Sequence, residues 1–306
     1  MGKSVLHFLV YGFGRVFLAL LALLPFSTVC SLTRLIARVG YRVMGRRRRI
    51  ARENLDRAFG DELSRDEKTR LAVASFESMA VSLVELLSVA RMLPPAAERM
   101  QLEGREHLEQ SFAQGHGVIL AISHLGSWEY LSFLPYLTNH RWSVIVKAIR
   151  NPYFDRLINQ SRRKMTVNPI HSSGSIKGVL RELKKNHGVG ILIDQWAGEG
   201  GIWTEFFGCP TSTTSIPARL SVAMGSPILP AFCLRQGTGR YLIRILPAVV
   251  VDRAQPDWEH ASMVKLNAIL ETQIRLHPEQ WTWGHRRWKA KPPDLRVTTN
   301  RTEGSV

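Results

Sequence analysis

Apolar positions along this chain follow two successive patterns. The first is a leucine-rich run, Val16 to Thr33, uncharged between Arg15 and Arg34 and containing Pro25. A hydrocarbon core needs about 20 apolar residues as helix, so the run is of borderline spanning length. No small-x-small cleavage site follows it, which disfavours a secretory signal. It reads as an uncleaved membrane anchor that spans the bilayer or lies in its inner leaflet; a buried apolar helix is the competing reading. Ser64 to Glu67 then reads S-x-x-E, a capping box. The helix it opens carries apolar residues at Ala72, Phe76, Met79, Leu83, Leu86, Leu87 and Ala90, one packing stripe, and Pro94 and Pro95 end it.

The second pattern is an alternation of short β-branched runs with helical segments. Val118 to Ile122 suits a buried strand, and Trp128 to Leu137 a helix packed back on the sheet. Ser143 to Ala148 is a second strand. Asn151-Pro152 opens a helix reaching Arg163, since Pro suits the first helical position. Ile176 to Lys185 is a further helix, and Gly190 to Ile193 a third strand ending at Asp194-Gln195. After a long glycine-rich aromatic loop, Gly198 to Ser215, come a helix (Ile216 to Met224), two late strands (Ile228 to Arg235, Tyr241 to Leu246) and a last helix (His260 to Leu276). The alternation predicts an α/β fold, a mostly parallel sheet flanked by helices. The chain divides into an anchor over 1–45, an α/β domain over 46–292, and a polar, disordered tail over 293–306.

Chemistry enters where a strand meets a helix. In SHLGSWE, His124 follows the first strand directly, and ligands of open α/β sheets bind at that lip. Glu129, five residues on, is placed to reach the imidazole and fix its tautomer, leaving the other ring nitrogen as a base. Asp194 also falls just past a strand end and is expected to border the same crevice. A satisfied structural histidine is the alternative. His124 and Glu129 lack a third ligand at metal-site spacing, so no metal is expected.

Charge changes the picture further. A formal +16 over 306 residues implies an anionic partner. The run Arg46 to Arg49, with Arg52, follows the apolar segment, as basic residues do on the cytoplasmic side of a membrane. Three separated cysteines suggest no disulfide framework. PEQWTWGHRRWK, Pro278 to Lys289, mixes tryptophan with basic residues, which suits a membrane interface, a single-stranded nucleic-acid binder, or a segment capping the core. Trp203, Phe206 and Phe207 in the long loop either line an apolar channel or fold onto the core.

SHLGSWE resembles the H-x-x-x-x-D/E signature of glycerolipid acyltransferases, and is most similar to the late lipid A acyltransferases, the lauroyl and myristoyl transferases of Gram-negative bacteria. RRRRIARENLDRAF, RNPYFDRL, IDQWAGEGGIWTEFFGCPTSTTS and PEQWTWGHRRWK resemble further family segments, so the likeness runs from the anchor to Lys289. The chain departs from the family in carrying Lys147 in V-K-A where arginine is common, and Thr211 where alanine is common. The resemblance implies a glycerolipid-acyltransferase-like fold with an N-terminal membrane-anchoring helix at the bacterial inner membrane, its site facing the cytoplasm. It implies transfer of a fatty acyl group from an acyl carrier protein thioester, coenzyme A being the other donor, to a hydroxyl of a phosphorylated lipid A precursor, with no cofactor. His124 would be the base and Glu129 its partner. No G-x-S-x-G elbow is present, so direct attack by the acceptor hydroxyl is expected. Lys147, Arg150 and Arg156 are candidates for the acceptor phosphates and Arg163, or backbone N–H groups before Trp128, for the oxyanion; Asn151 and Asp194 would shape the pocket. An acyltransferase on another glycolipid or a lysophospholipid is the alternative, and a basic nucleic-acid-binding protein a more distant one, no nucleic acid being expected.

Overall fold

The computed structural model describes residues 2–89, 96–171 and 175–290. Ala90, Pro94 and Pro95, the expected end of the capped helix, and the tail over 293–306 lie outside the described residues.

The apolar run near the start does not form one helix. Pro25 cannot donate a backbone hydrogen bond, and the chain breaks there into α1 (Gly2–Ala22) and α2 (Phe26–Val43). Among the described residues, no helix is long and apolar enough to cross a membrane. Helix α2 buries Val29, Cys30, Thr33, Ala37 and Tyr41 on one side. It leaves Leu32, Leu35, Ile36, Val39 and Val43 exposed on the other. Helix α3 (Gly45–Phe59) carries the arginine run, and α4 (Arg65–Leu87) starts with the expected capping box between Ser64 and Glu67.

The buried face of α4 differs from the expected apolar stripe. Leu83 is exposed, whereas Ser75, Ser78, Ser82 and Glu85 are buried. These four recur at spacings of three and four residues, so they share one helical face. What this polar face holds is described with the site.

A seven-stranded sheet forms the centre. Its strands are β1 (Met100–Glu103), β2 (Val118–Gly126), β3 (Trp142–Val146), β4 (Val167–His171), β5 (Gly188–Leu192), β8 (Ile228–Gly237) and β9 (Arg240–Ile245), in the order β1-β9-β8-β2-β5-β3-β4. All neighbours are parallel except the β8–β9 hairpin. Strands β1 and β4 had no expected counterpart: both are short, and β4 contains Pro169, a residue that argues against a strand. Residues Gly198 to Ser215, expected as an irregular loop, contain an antiparallel pair, β6 (Ile202–Phe206) and β7 (Cys209–Thr213). Phe206 and Phe207 fold into the core.

Helices cover both faces. On one, α3, α7 (Ser175–Lys184), α8 (Ile216–Met224) and α9 (Trp258–Leu276) pack over Ile119, Ala121, Val189 and Ile191. On the other, α4, α5 (Arg105–Phe112), α6 (Pro152–Lys164) and the turns of residues 128–137 pack over Leu120, Ile122 and Leu229. The expected helix from Trp128 is a 3-10 segment, Trp128–Phe133, followed by one α-turn, Leu134–Leu137, with Pro135 inside it.

Candidate active site

Strand β2 runs four residues beyond its expected end, so His124 belongs to the strand itself. Gly126 permits this. Its φ is +64°, and a Cβ there would stand 2.2 Å from the carbonyl oxygen of Cys233 on β8, so no other residue fits. Next door, β3 pairs with β5 only from Trp142–Gly188 to Val144–Gly190. Beyond that register the two strands part. A cavity of about 540 Å³ opens at the split, lined by Ile122, Leu131, Val144, Val146, Gly190 and Leu192. His124, Glu129, Lys147, Arg162 and Gln195 also line it. An apolar slot with a few convergent polar groups is the usual form of a ligand site.

The imidazole's partner is Asp194, not Glu129. His124 Nδ1 lies 2.8 Å from Asp194 Oδ1, and the His124 backbone N–H donates to Asp194 Oδ2 at 2.8 Å. The side chain of His124 is 14% exposed and that of Asp194 only 2%. Burial works against charge on the imidazole. The Asp194 charge and hydrogen bond, with Glu129 more distantly, outweigh it and raise the His124 pKa. Burial likewise works against the Asp194 charge, but the imidazole, the His124 backbone N–H and the Trp281 indole bring its pKa down to about 2. Nδ1–H is thus committed to Asp194, and Nε2 is the nitrogen available as base. The Gln195 side-chain nitrogen stands 3.2 Å from that Nε2.

Glu129 instead forms a two-pronged ion pair with Arg162, Nη2–Oε1 at 2.6 Å and Nε–Oε2 at 3.0 Å. Glu129 lies in the first turn of the 3-10 segment and its carboxylate reaches Arg162 on α6. There a row of residues on one face holds the guanidinium. Asp155 accepts from the Ile149 backbone and from Asn159, whose Oδ1 accepts from Arg162 Nη1. The RNPYFDRL segment is therefore the support of Arg162.

The expected substrate-binding residues separate. Lys147 lines the cavity. Arg150, Arg156 and Arg163 are exposed and do not line it. Arg163, one residue from Arg162, is rotated by about 100° around the helix and faces elsewhere. Asn151 caps α6 by accepting from the Tyr153 N–H, and its amide donates to the His7 carbonyl on α1; its position is structural. Arg162 was legible in principle: it lies seven residues after Asp155, on the face Asn159 shares. Gln195 carried no such signal.

The closing segment is largely turned inward, although Arg286 and Lys289 are exposed and Trp288 is half-buried. Trp281, Trp283 and Arg287 are buried, so they offer neither a membrane belt nor a stacking platform for bases. Burial lowers the Arg287 pKa to about 10, with Asp194 acting against it.

A buried histidine–aspartate pair at the lip of a mostly parallel sheet stands beside an apolar slot whose wall also carries an arginine–glutamate pair. The model of the bacterial lipid A biosynthesis acyltransferases matches residues 2–290, and the chain belongs to that family. It is an acyltransferase. The lipid A biosynthesis palmitoleoyltransferase of Escherichia coli (strain K12) is 28% identical over 92% of this chain and 91% of its own length. The lipid A biosynthesis lauroyltransferase of the same organism is 26% identical over 88% of each. A phosphatidylinositol mannoside acyltransferase of Mycobacterium tuberculosis (strain CDC 1551 / Oshkosh) is 23% identical over 61% of this chain and 59% of its own. The crystal structure of the 1-acyl-sn-glycerophosphate acyltransferase of Thermotoga maritima covers 82% of this chain and 99% of that one, at 13% identity and a TM-score of 0.38, too slight a likeness to argue from.

Proposed function

We propose that this acyltransferase moves a fatty acyl group from an acyl carrier protein thioester to a hydroxyl of a phosphorylated lipid A precursor at the inner membrane, its site facing the cytoplasm. The observation that carries the reading is His124, which lines the cavity with Nδ1 tied to Asp194 and Nε2 not bonded to it. Nε2 takes the proton of the acceptor hydroxyl as its oxygen attacks the thioester carbonyl. Asp194 stabilises the imidazolium that forms. Collapse of the tetrahedral intermediate expels the thiolate, which takes the proton back from His124. No covalent acyl-enzyme is involved.

Glu129 serves this reaction through Arg162, whose guanidinium it fixes at the cavity wall. Arg162 replaces Arg163 as the cation for the oxyanion, and Lys147 is the cation for an acceptor phosphate. These two are the cations among the residues lining the cavity. The apolar walls suit an acyl chain. Carrier protein as donor is supported by the basic balance of +16, which favours an acidic partner; coenzyme A would serve the same chemistry. Lipid A as acceptor is supported by family membership. Another glycolipid is the second reading, favoured by the likeness to a phosphatidylinositol mannoside acyltransferase.

The test is mass spectrometry of lipids from cells with and without the chain, and with His124→Ala. We expect one acyl mass added to a lipid A species by the wild type alone. An unchanged lipid A and a gained acyl group on another glycolipid would select the second reading. Full activity of His124→Ala would remove the base.

A further inference from the structure

The closing segment donates two hydrogen bonds to the His124–Asp194 pair and two to backbone carbonyls near it. The Thr282 hydroxyl donates to the His124 carbonyl at 3.1 Å. Arg287 Nη1 donates to the Gln195 carbonyl at 2.7 Å and the Ser212 carbonyl at 2.9 Å. The Trp281 indole N–H donates to Asp194 Oδ2 at 2.9 Å. A single antiparallel bridge between Leu125 and Trp281 sets the register of this approach.

Trp281 is itself held rigidly. It is 1% exposed. The Ser75 hydroxyl of α4 donates to its carbonyl, and its ring meets Trp283 edge to face, 4.6 Å between centroids at 86°. A buried indole nitrogen needs an acceptor, and Asp194 is the acceptor given to this one. Phenylalanine would fill the same apolar space without that nitrogen. Trp283 beside it, 0% exposed, spends its indole N–H on the Pro278 carbonyl at 2.7 Å, within the segment itself. The two tryptophans thus share a core but differ in one bond.

We infer that Trp281 is a positioning residue for acyl transfer: its indole N–H fixes the Asp194 carboxylate so that Oδ1 faces His124 Nδ1. The assignment rests on the reading of His124 as the base. Oδ2 accepts from the indole as well as from the His124 backbone N–H; the indole comes from a separate element, so it restrains the carboxylate, and through it the imidazole, against the core.

The charged and titratable groups around the pair come from every element packed on it. Glu129 acts on His124 from the 3-10 turn. His285 and Arg287 act from the closing segment, and Arg47 of α3 lies beyond His285. The indole is neutral, so replacing it removes a hydrogen bond and leaves these charges in place. Without that donor the Asp194 charge is less satisfied and attracts the imidazolium more strongly. The His124 pKa then rises. Since the base must be neutral, the acid limb of the activity profile moves to higher pH, by roughly 0.5–1 unit for one hydrogen bond.

The experiment compares wild type, Trp281→Phe, Trp283→Phe and His124→Ala in the full chain. The probes are lauroyl acyl carrier protein and a phosphorylated lipid A precursor. We expect Trp281→Phe to lose roughly tenfold in kcat with little change in KM, and to shift the acid limb upward. Trp283→Phe, matched in burial, keeps the wild-type profile. Identical kcat and pH profiles in the two tryptophan variants would overturn the proposal. If Trp281→Phe does not fold, a benzothienylalanine placed at 281 removes the N–H while keeping the ring's shape; an unshifted profile there overturns the proposal equally. Full activity of His124→Ala sinks the underlying reading instead, so the two failures are told apart.

Discussion

The two carboxylates beside His124 have different tasks, and single substitutions separate them. Asp194 fixes the tautomer, so Asp194→Asn presents an amide that accepts or donates and lets the ring turn. The expected loss in kcat is about 10²–10⁴-fold, with KM little changed. Glu129→Gln leaves the His124–Asp194 bond intact and loosens Arg162. Its expected effect falls on both kcat and KM, and Arg162→Lys reproduces it because an ammonium cannot make the two-pronged contact. Steady-state kinetics on the three variants check this; equal profiles for Asp194→Asn and Glu129→Gln would return Glu129 to the role of imidazole partner. In the sequence, His124, the edge of the sheet and Asp194 beside it were legible from the apolar runs that precede them, although β2 continues through His124 to Gly126. The pairing was not. It depends on the direction a side chain takes after a 3-10 turn, and the spacing H-x-x-x-x-E is silent on that.

Helix α4 carries the strongest case of an element whose pattern misled. Of its expected stripe Ala72 and Leu86 are buried, yet Ser75, Ser78, Ser82 and Glu85 are buried with them. Glu85 accepts from Ser127 Oγ at 2.7 Å, from Tyr241 at 2.9 Å and twice from Arg235 at 2.8 Å. Ser82 donates to the Gly126 carbonyl at 2.8 Å. Gly126 and Ser127 form the turn between His124 and Glu129, so α4 fastens the backbone of the signature itself. Serine and glutamate in a helix read as solvated, and nothing in α4 announces a partner such as Arg235, 150 positions later. Fully hydrogen-bonded, such a pair is tolerated in the core; broken, it strands a charge. Glu85→Leu therefore costs about 3–5 kcal/mol by leaving Arg235 unpaired, while Glu85→Leu with Arg235→Met recovers much of that loss. Denaturant unfolding of the single and double variants is the check, and additive losses would show that the pair does not act as a unit.

At the scale of the whole molecule, the apolar surface is concentrated at the start of the chain, and it sits beside the site. Phe13, Leu23 and Val43 are 77%, 81% and 78% exposed, and the outer face of α2 adds Leu35, Ile36 and Val39 at helical spacing. Exposed apolar surface of this extent marks an interface. Helix α1 is bolted to α6 by aromatic contacts, Tyr11 stacking on Tyr153 at 5.4 Å and Phe8 meeting the same ring at 5.7 Å, and α6 carries Arg162. A bilayer received by α1 and α2 would therefore lie next to the cavity, the place the proposed reaction assigns to its lipid. The sequence pattern left spanning and lying in the inner leaflet open; Pro25 divides the apolar run into two helices, and two short amphipathic helices suit lying in one leaflet better than crossing. Arg46 and Arg49 are exposed beyond α2 and would meet anionic headgroups, each adding roughly 1 kcal/mol. Leu35→Glu with Ile36→Glu replaces two residues each worth about 1.5–3 kcal/mol when fully buried. That variant is expected to leave sedimenting vesicles of mixed anionic and zwitterionic lipid while keeping the wild-type unfolding midpoint, because neither side chain packs on α4. Arg46→Ala with Arg49→Ala should weaken binding only to the anionic vesicles, and less so at high salt. Unchanged sedimentation of the glutamate variant would move the contact surface away from α2.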